Sequence, residues 1–475
     1  RFSGDSRSKR RLVGFFGEAS LDYRRYAYIN FTGRTDLTST LPYKNATYFY
    51  PGISTSLVWT DAFKVKKGII DYGKIRAGFA KVGNDASPGN GEAIFGLNSA
   101  GFQGQSLASR GSSNYDPNLT PEFTEELELG TDMRFLGGRI MTELTWYDKK
   151  STNLIYAIGL PQTTGFSSFY TNLGEVRNTG WEAAVDLKIV DKTDFQWNVR
   201  GIFTRNINTV EKLAPGLTRD IIGGYNWIEP GFPYGYLRGS RSARTDDGRL
   251  IINPSNGAPF VDPNPQMVGD PNADYKIGIT NRFAYKAFEL SVLWDMTKGG
   301  DFYTETINSM LGRGVTKDNE DREKNRVVDG VYGSATPVPG KDGLNRYVPL
   351  LVNGQMVPNQ TRMTTNDLYF SPAGTGATFA TNGAFEYSVF DGTVYRLREI
   401  VLAYNLSPSL IKKLKLSAAT LSFSGRNLWF LAPNVPKYTH FDPDINSVVS
   451  GTAQGVETGG APSTKRFGLN LNITF

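Results

Sequence analysis

The last ten residues read Arg466-Phe467-Gly468-Leu469-Asn470-Leu471-Asn472-Ile473-Thr474-Phe475. Apolar side chains fill every second position: Phe467, Leu469, Leu471, Ile473 and Phe475. Between them stand Arg466, Gly468, Asn470, Asn472 and Thr474. Side chains of a β-strand point alternately to opposite faces, so this segment reads as a strand with one apolar and one polar face. About 9–11 residues suffice for a tilted strand to cross a bilayer, and this segment has that length.

The alternation recurs upstream. Leu127, Leu129, Met133 and Phe135 alternate with Glu126, Glu128, Asp132 and Arg134. Trp181, Ala183, Val185, Leu187 and Ile189 alternate with Glu182, Asp186 and Lys188. Phe288, Leu290, Val292, Trp294 and Met296 alternate with Glu289, Ser291 and Asp295. Near the start, Val13, Phe15, Ala19, Leu21 and Tyr23 alternate with Glu18, Ser20 and Asp22. These segments reach about ten residues or more, whereas strands of soluble sandwiches usually have about five or six. Their polar positions also carry many formal charges. A charged interior with an apolar exterior is the pattern of a membrane barrel with a wet lumen. Asn281 interrupts the apolar face of 275–285, and the pattern offers no account of it.

Connections alternate between short and long. Segments 12–23 and 25–33 meet almost directly, as do 122–135 and 139–150, 176–189 and 195–207, and 275–286 and 288–300. Long polar stretches lie at 84–121, 151–175, 208–274, 301–392 and 431–463. Short periplasmic turns and long extracellular loops are the arrangement of outer-membrane barrels. With the final strand ending in the periplasm, Tyr23, Trp59, Phe135, Phe195, Phe288 and Phe475 fall at one level, the expected periplasmic aromatic girdle. The reading gives 13 strands, the first running inward. A closed bacterial barrel has an even number, so at least one further strand is expected before residue 1. The chain begins at Arg1 without Met or a signal peptide, which fits a mature chain or a piece of a longer one.

Composition removes other chemistry. No cysteine is present, which excludes disulfides, thiolate metal sites and cysteine nucleophiles. The net charge is +6, but the basic residues do not cluster. The run Arg7, Lys9, Arg10, Arg11 and the pair Lys412–Lys413 read as solvated surface, so no nucleic-acid partner is expected. No stretch approaches the roughly 20 apolar residues of a transmembrane helix. His440 is the one histidine and reads as a loop residue in a turn, with neither a catalytic nor a metal role. The carboxylates Glu126 and Glu128 read as a hydrated lumen wall rather than an acid–base pair. Asp442-Pro443-Asp444 reads as a turn, with calcium binding the less favoured use. The Gly-rich pieces Gly83–Gly91 and Gly374–Gly376 lack the Lys-Ser/Thr of a phosphate loop. The expectation is therefore no catalytic residue, no metal, no cofactor and no enzyme.

Several stretches carry a resemblance. They include Gly14-Phe15-Phe16-Gly17, Tyr50-Pro51-Gly52-Ile53-Ser54, Ile75-Arg76-Ala77-Gly78-Phe79 and Leu119-Thr120-Pro121-Glu122. The most specific is Leu160-Pro161 with Thr164-Gly165, followed by Asn172-Leu173-Gly174-Glu175-Val176-Arg177-Asn178-Thr179-Gly180-Trp181-Glu182. Val268-Gly269-Asp270-Pro271-Asn272, Tyr395-Arg396-Leu397-Arg398-Glu399-Ile400, Ser424-Gly425-Arg426-Asn427-Leu428 and Phe441-Asp442-Pro443-Asp444 follow. In that order the chain resembles the C-terminal half of SusC/RagA-type TonB-linked outer-membrane transporters of Bacteroidetes. The resemblance implies an all-β, transmembrane antiparallel β-barrel of about 22 strands, of which residues 1–475 supply the C-terminal 13 or so, with the plug domain outside this sequence. It implies import of large nutrients (oligosaccharides or peptides) with TonB energy, through that plug region, and a SusD-type surface lipoprotein as lid. One departure is Phe260-Val261-Asp262-Pro263-Asn264-Pro265-Gln266, where such proteins often carry an acidic, glycine-rich stretch, so no metal loop is expected there.

Aromatics of the long loops are the candidates for glycan or peptide contact: Phe166, Phe169 and Tyr170, and Tyr225, Trp227, Phe232, Tyr234 and Tyr236. Aromatic faces stack on cargo while tyrosine and tryptophan keep a polar tip. Their alternative use is loop packing. Phe467, Leu469, Leu471, Ile473 and Phe475 face outer-membrane lipid and resemble the C-terminal signal read by the barrel-assembly machinery. The alternative function is a barrel subunit with a structural or interaction role in a larger outer-membrane surface or secretion assembly.

Overall fold

Each alternating segment forms a strand, and 13 strands join one sheet whose order is the order of the chain. They are β1 (Leu12–Tyr23), β2 (Ala27–Thr38), β3 (Thr47–Val58), β4 (Ile70–Asn84), β5 (Glu122–Phe135), β6 (Ile140–Thr152), β7 (Glu175–Asp191), β8 (Phe195–Lys212), β9 (Ala273–Tyr285), β10 (Phe288–Gly299), β11 (Val394–Asn405), β12 (Ala418–Leu431) and β13 (Arg466–Thr474). Neighbours pair antiparallel, from Leu12↔Thr38 in the first hairpin to Ala418↔Thr474 in the last. The computed structural model describes residues 9–66, 68–88, 95–103, 105–370, 383–413, 415–445 and 453–475. Gly374–Gly376, Arg7 and the end of the 83–91 stretch lie outside them.

The β1–β2 turn is tight. Arg24 and Arg25 both take positive φ, 51° and 60°, within the three-residue loop that joins Tyr23 to its partner Ala27. Asn and Gly adopt it more cheaply, so the turn holds here because twelve register pairs close behind it.

Apolar and polar residues separate by face. Phe15, Leu21, Phe31, Leu129, Leu144, Trp181, Leu402, Leu421 and Leu469 are all exposed. Apolar side chains exposed in such number on one face of the strands mark contact with a membrane or partner rather than water. On the other face ion pairs run from strand to strand. Arg76 of β4 contacts Glu128 and Asp132 of β5 and Thr145 of β6. Lys81 reaches Glu125 at 2.8 Å, and Lys150 reaches Glu175 at 2.6 Å. Among the described residues no helix is long and apolar enough to cross a membrane.

The chain forms two compact units. The first comprises Arg1–Leu187, Asn206–Asp220 and Glu229–Tyr234. Its buried apolar cluster is Leu41, Tyr48, Ala86 and Leu119, backed by Tyr50, Phe123 and Ile155. Beside it the buried Asp85 carboxylate accepts hydrogen bonds from Thr38, Thr40 and Arg10, which ties the start of the 84–121 loop to the end of β2. The second unit comprises Lys188–Arg205, Ile221–Ile228 and Gly235–Phe475. Its cluster is Phe302, Ile307, Leu311 and Phe441, with Tyr369, Phe390, Val435 and Ile445 packed against it. Most members of both clusters lie in the connections rather than in the strands. The strands leave their apolar face exposed, so the buried clusters form where the connections pack together.

Several expectations change in detail. The long connections are not plain loops. They contain short strands, such as 226–228, 236–239 and 266–269 paired together, and a helix, Glu305–Gly312, whose first turn is capped by Thr304. β2 and β8 run to Thr38 and Lys212, past the ends that alternation alone suggested, because their outer ends keep pairing beyond the apolar stretch. Trp59 does not end a strand. It opens a short helix, Trp59–Ala62, and its ring lies over Gly73 of β4, where any Cβ would collide with it. Asn281 also gains an account: its side-chain oxygen accepts from the Trp197 indole N–H at 3.3 Å, and Trp197 stacks on Phe283. The amide on the apolar face therefore has a partner, as a group away from water requires.

Candidate cargo-contact surfaces

In the first unit, residues 155–159 pair antiparallel with 168–172, which pair in turn, in parallel, with 113–115. The hairpin tip is turned by Gly165, at φ 80°, and closed by the Leu160 N–H donating to Ser167 O at 3.0 Å. This frame sets two aromatic contacts. Tyr170 stacks on Tyr115 with ring centroids 5.2 Å apart, and the Arg110 guanidinium sits 4.0 Å over the Phe166 ring. Phe169 is half-buried in the same strand. Tyr234 is held by its backbone N–H donating to Asn208 at 2.7 Å, and burial, followed by the nearby Glu122 charge, raises its hydroxyl pKa. Phe232 is half-buried, with its carbonyl accepting from the Val210 N–H at 2.9 Å.

In the second unit, Tyr225 is exposed and packs 4.6 Å from Tyr303 and 4.7 Å from Phe385, ring centre to ring centre. Tyr303 and Phe385 stack at 5.1 Å with nearly parallel planes. Phe385 is placed by its neighbour Glu386, which accepts from the Ser242 N–H at 2.7 Å and from Arg244 at 3.0 Å. Burial works to raise that carboxyl, but these hydrogen bonds win and hold it below the usual glutamate range. Gly239 permits the approach, since a Cβ there would run into the Phe385 ring. Burial, helped by a hydrogen bond with Tyr225, raises the Tyr303 hydroxyl, so it stays a neutral hydrogen-bonding group near pH 7. Trp227 lies 5.6 Å beneath the Arg238 guanidinium. An exposed ring backed by two others, with a guanidinium on the neighbouring strand, can stack on a flat apolar or sugar face and hydrogen-bond its edge.

Of the sequence candidates, Tyr225, Trp227, Phe166 and Tyr170 thus sit in ring or cation contacts with part of their surface open. Tyr236 does not: it is fully buried, its backbone pairs with Trp227, and it serves packing. Tyr303, Phe385, Tyr115, Arg110 and Arg238 were missed. Tyr303 and Phe385 lie far from Tyr225 in sequence, and no local pattern joins them.

The polar face offers a second kind of surface. In the first unit a recess of about 460 Å³ is lined by Arg76, Glu128, Tyr147, Lys149, Asn178 and Glu182 among others. Asn178 accepts from Asn206 at 3.0 Å and from Asn208 at 2.8 Å, while the Tyr147 hydroxyl donates to Asn206. The recess thus presents hydrogen-bonding amides, a hydroxyl and charges of both signs. His440 is exposed and left-handed, φ 47°, at the end of the short helical turn Lys437–Thr439. Among the described residues no three metal-ligating side chains come together. Phe467, Leu469, Leu471, Ile473 and Phe475 are all exposed, and Phe467 stacks on Phe423 of β12.

A family profile described as "TonB dependent receptor-like, beta-barrel" matches residues 2–428. The chain is 25% identical over 503 residues to TonB-dependent receptor P3 of Formosa agariphila, covering 98% of this chain and 45% of that protein. It is 28% identical over 194 residues to TonB-dependent receptor SusC of Bacteroides thetaiotaomicron, covering 37% of this chain and 19% of that one. Among solved structures, the RagAB peptide transporter superposes with a TM-score of 0.74 at 16% identity, covering 98% of this chain and 48% of that chain. At that identity the likeness speaks for the fold. The chain spans a little under half the length of TonB-dependent receptor P3 and of the RagAB chain.

Proposed function

We propose, on the premise that this chain belongs to the TonB-dependent receptor-like β-barrel family of the outer membrane, that it forms the wall and outer loops of an importer for large nutrients. The observation that carries the reading is the division of the sheet into an exposed apolar face and an ion-paired polar face. The first suits lipid and the second a wet conduit. Residues 1–475 are read as one part of that barrel, with extracellular loops at 84–121, 151–175, 208–274, 301–392 and 431–463.

The cargo class is oligosaccharide or peptide, met first by the loop aromatics Tyr225, Trp227, Phe166 and Tyr170. Energy comes from TonB through a plug region, and a SusD-type lipoprotein closes the outer side. The RagAB and SusC likenesses support this reading. The exposed face of β13 supports recognition by the barrel-assembly machinery.

The test is uptake by cells carrying the native protein. Labelled oligosaccharides and peptides too large for porins are offered before and after gene deletion, and again with the proton-motive force collapsed. Loss of uptake of one class in both arms is expected. Undiminished uptake, with co-purification of large non-lipoprotein partners, would favour a structural subunit of a surface or secretion assembly instead.

A further inference from the structure

Two of the stretches that carry the family resemblance, Tyr395-Arg396-Leu397-Arg398-Glu399 and Phe441-Asp442-Pro443-Asp444, meet in space. Arg396 donates through Nη1 and Nη2 to both oxygens of Asp442, at 2.9 and 2.8 Å. Both side chains are almost wholly buried, 2% and 3% exposed. Arg398 donates to Asp444 at 2.8 Å and also to Asp295 of β10. Asp442 additionally accepts from the Asp444 N–H at 3.0 Å, which folds the Asp-Pro-Asp turn around the guanidiniums. These two aspartates are thus committed to arginines.

A local irregularity falls within the arrangement. The registers of β11 with both neighbours skip Arg398, passing from Leu397 to Glu399. An extra residue of this kind breaks the alternation and re-aims side chains. Arg396 stands opposite Asp295 in the sheet, on the charged face. Arg398, at the bulge, donates to Asp295 as well.

The same loop has a second anchor. Glu457 is buried and accepts from Thr304 Oγ1 at 2.6 Å, Thr306 Oγ1 at 2.8 Å, Thr306 N at 3.1 Å and Gly460 N at 2.6 Å. Residues 456–457 pair in parallel with 303–304. Phe441, next to the clamped Asp442, stacks on Phe302 in the buried cluster.

Buried ion pairs seldom add much net stability over apolar packing of the same volume, but removing one partner strands a charge, and the directional bonds admit one arrangement. A bidentate Arg–Asp pair is therefore a device for position. Here it positions an outer loop on the face of the wall that the transport reading gives to the conduit. We propose that Arg396, through Asp442, is a positioning residue that clamps residues 432–445 of the connection after β12 against the polar face, making them a fixed part of the conduit that limits the size of solutes passing through. This rests on the importer reading.

The test uses the native full-length protein in its own outer membrane, at matched surface amounts. Asp442→Asn removes the charge, Arg396→Lys keeps the charge but loses the fork, and Asp444→Asn loosens the half-exposed rim of the cluster. Asp247→Asn, which breaks an exposed pair with Arg249 in another loop, is the control. External protease is expected to cut within 432–445 at least about tenfold faster in the first two variants and less so in the third, with cutting elsewhere unchanged. Entry of a large glycopeptide antibiotic rises in parallel, and the control changes neither.

Variants that reach the surface and are cut no faster would overturn the clamp. Faster cutting with unchanged antibiotic entry would overturn the size limit. If Asp442→Asn does not reach the surface, Asp444→Asn decides by the same two readouts. A parent protein that moves no cargo would defeat the importer reading, while the protease result would still decide the clamp.

Discussion

Val185→Lys and Glu182→Leu, three positions apart on β7, should behave very differently. Val185 lies on the apolar face, in register with Thr142 of β6. Trp181 and Ile189, both exposed, stand four residues to either side of it on the same face. Eight steps at about 3.3 Å separate Trp181 from Ile189, roughly 26 Å along the strand. A strand tilted by about 40° then spans about 20 Å of depth, close to the roughly 25 Å apolar band of such barrels. Val185 thus falls near the midplane, where a lysine costs about 2–4 kcal/mol. At about 1.4 kcal/mol per factor of ten, the folded-to-unfolded ratio drops roughly 30-fold to 700-fold. Glu182 is exposed and lines the polar recess beside Tyr147 and Lys149, so Leu there should change stability by no more than about 0.5 kcal/mol. The assay is reversible denaturant unfolding of the full-length protein folded into lipid vesicles. Equal losses, or a larger loss for Glu182→Leu, would mean that the two faces have been exchanged.

The Trp197–Asn281 hydrogen bond should show the asymmetry of a paired polar group away from water. Trp197→Phe alone should cost about 1–3 kcal/mol or more, and adding Asn281→Leu should recover part of that loss, read as the unfolding midpoint of each variant. The loop anchored by Glu457 should loosen in acid. Burial works to raise that carboxyl, but hydrogen bonds from Thr304, Gly460 and Thr306 hold it below its ordinary value, so its contribution is complete above about pH 4.5 and is lost as the pH falls through the lower folded value. Protease cutting near 456–460 should therefore rise only in that acid window, and Glu457→Gln should remove the step.

The strands were legible because their signal is local. Period-two alternation, as in Trp181–Ile189 or Phe467–Phe475, needs no knowledge of partners, and most members of the main sheet are visible that way. The loops were not, because their order comes from pairings between distant, very short segments. Ile251–Ile252 pairs with Val331–Tyr332, and Tyr303–Thr304 with Val456–Glu457. Two residues carry no periodicity, so such strands read as polar loop. The candidate surface was legible in part for the same reason. Loop aromatics can be counted in sequence, but burial sorts them: Tyr225 is exposed, while Tyr236, eleven positions on, is fully buried. The Asp442 carboxylate looked like a turn former because its arginine lies 46 residues away.

The chain has no cysteine, which gives the central claim a direct measurement. Single cysteines placed in turn at positions 467–474 of the full-length protein, with any cysteine outside residues 1–475 replaced, are labelled in membranes with a polar thiol reagent, and a fluorescent thiol probe is then tested for quenching by lipid-borne quenchers. Positions 468, 470 and 472 should react with the polar reagent and escape quenching, while 467, 469, 471 and 473 should do the reverse. Uniform reaction along the strand, or quenching without period two, would contradict a strand that divides lipid from a wet conduit.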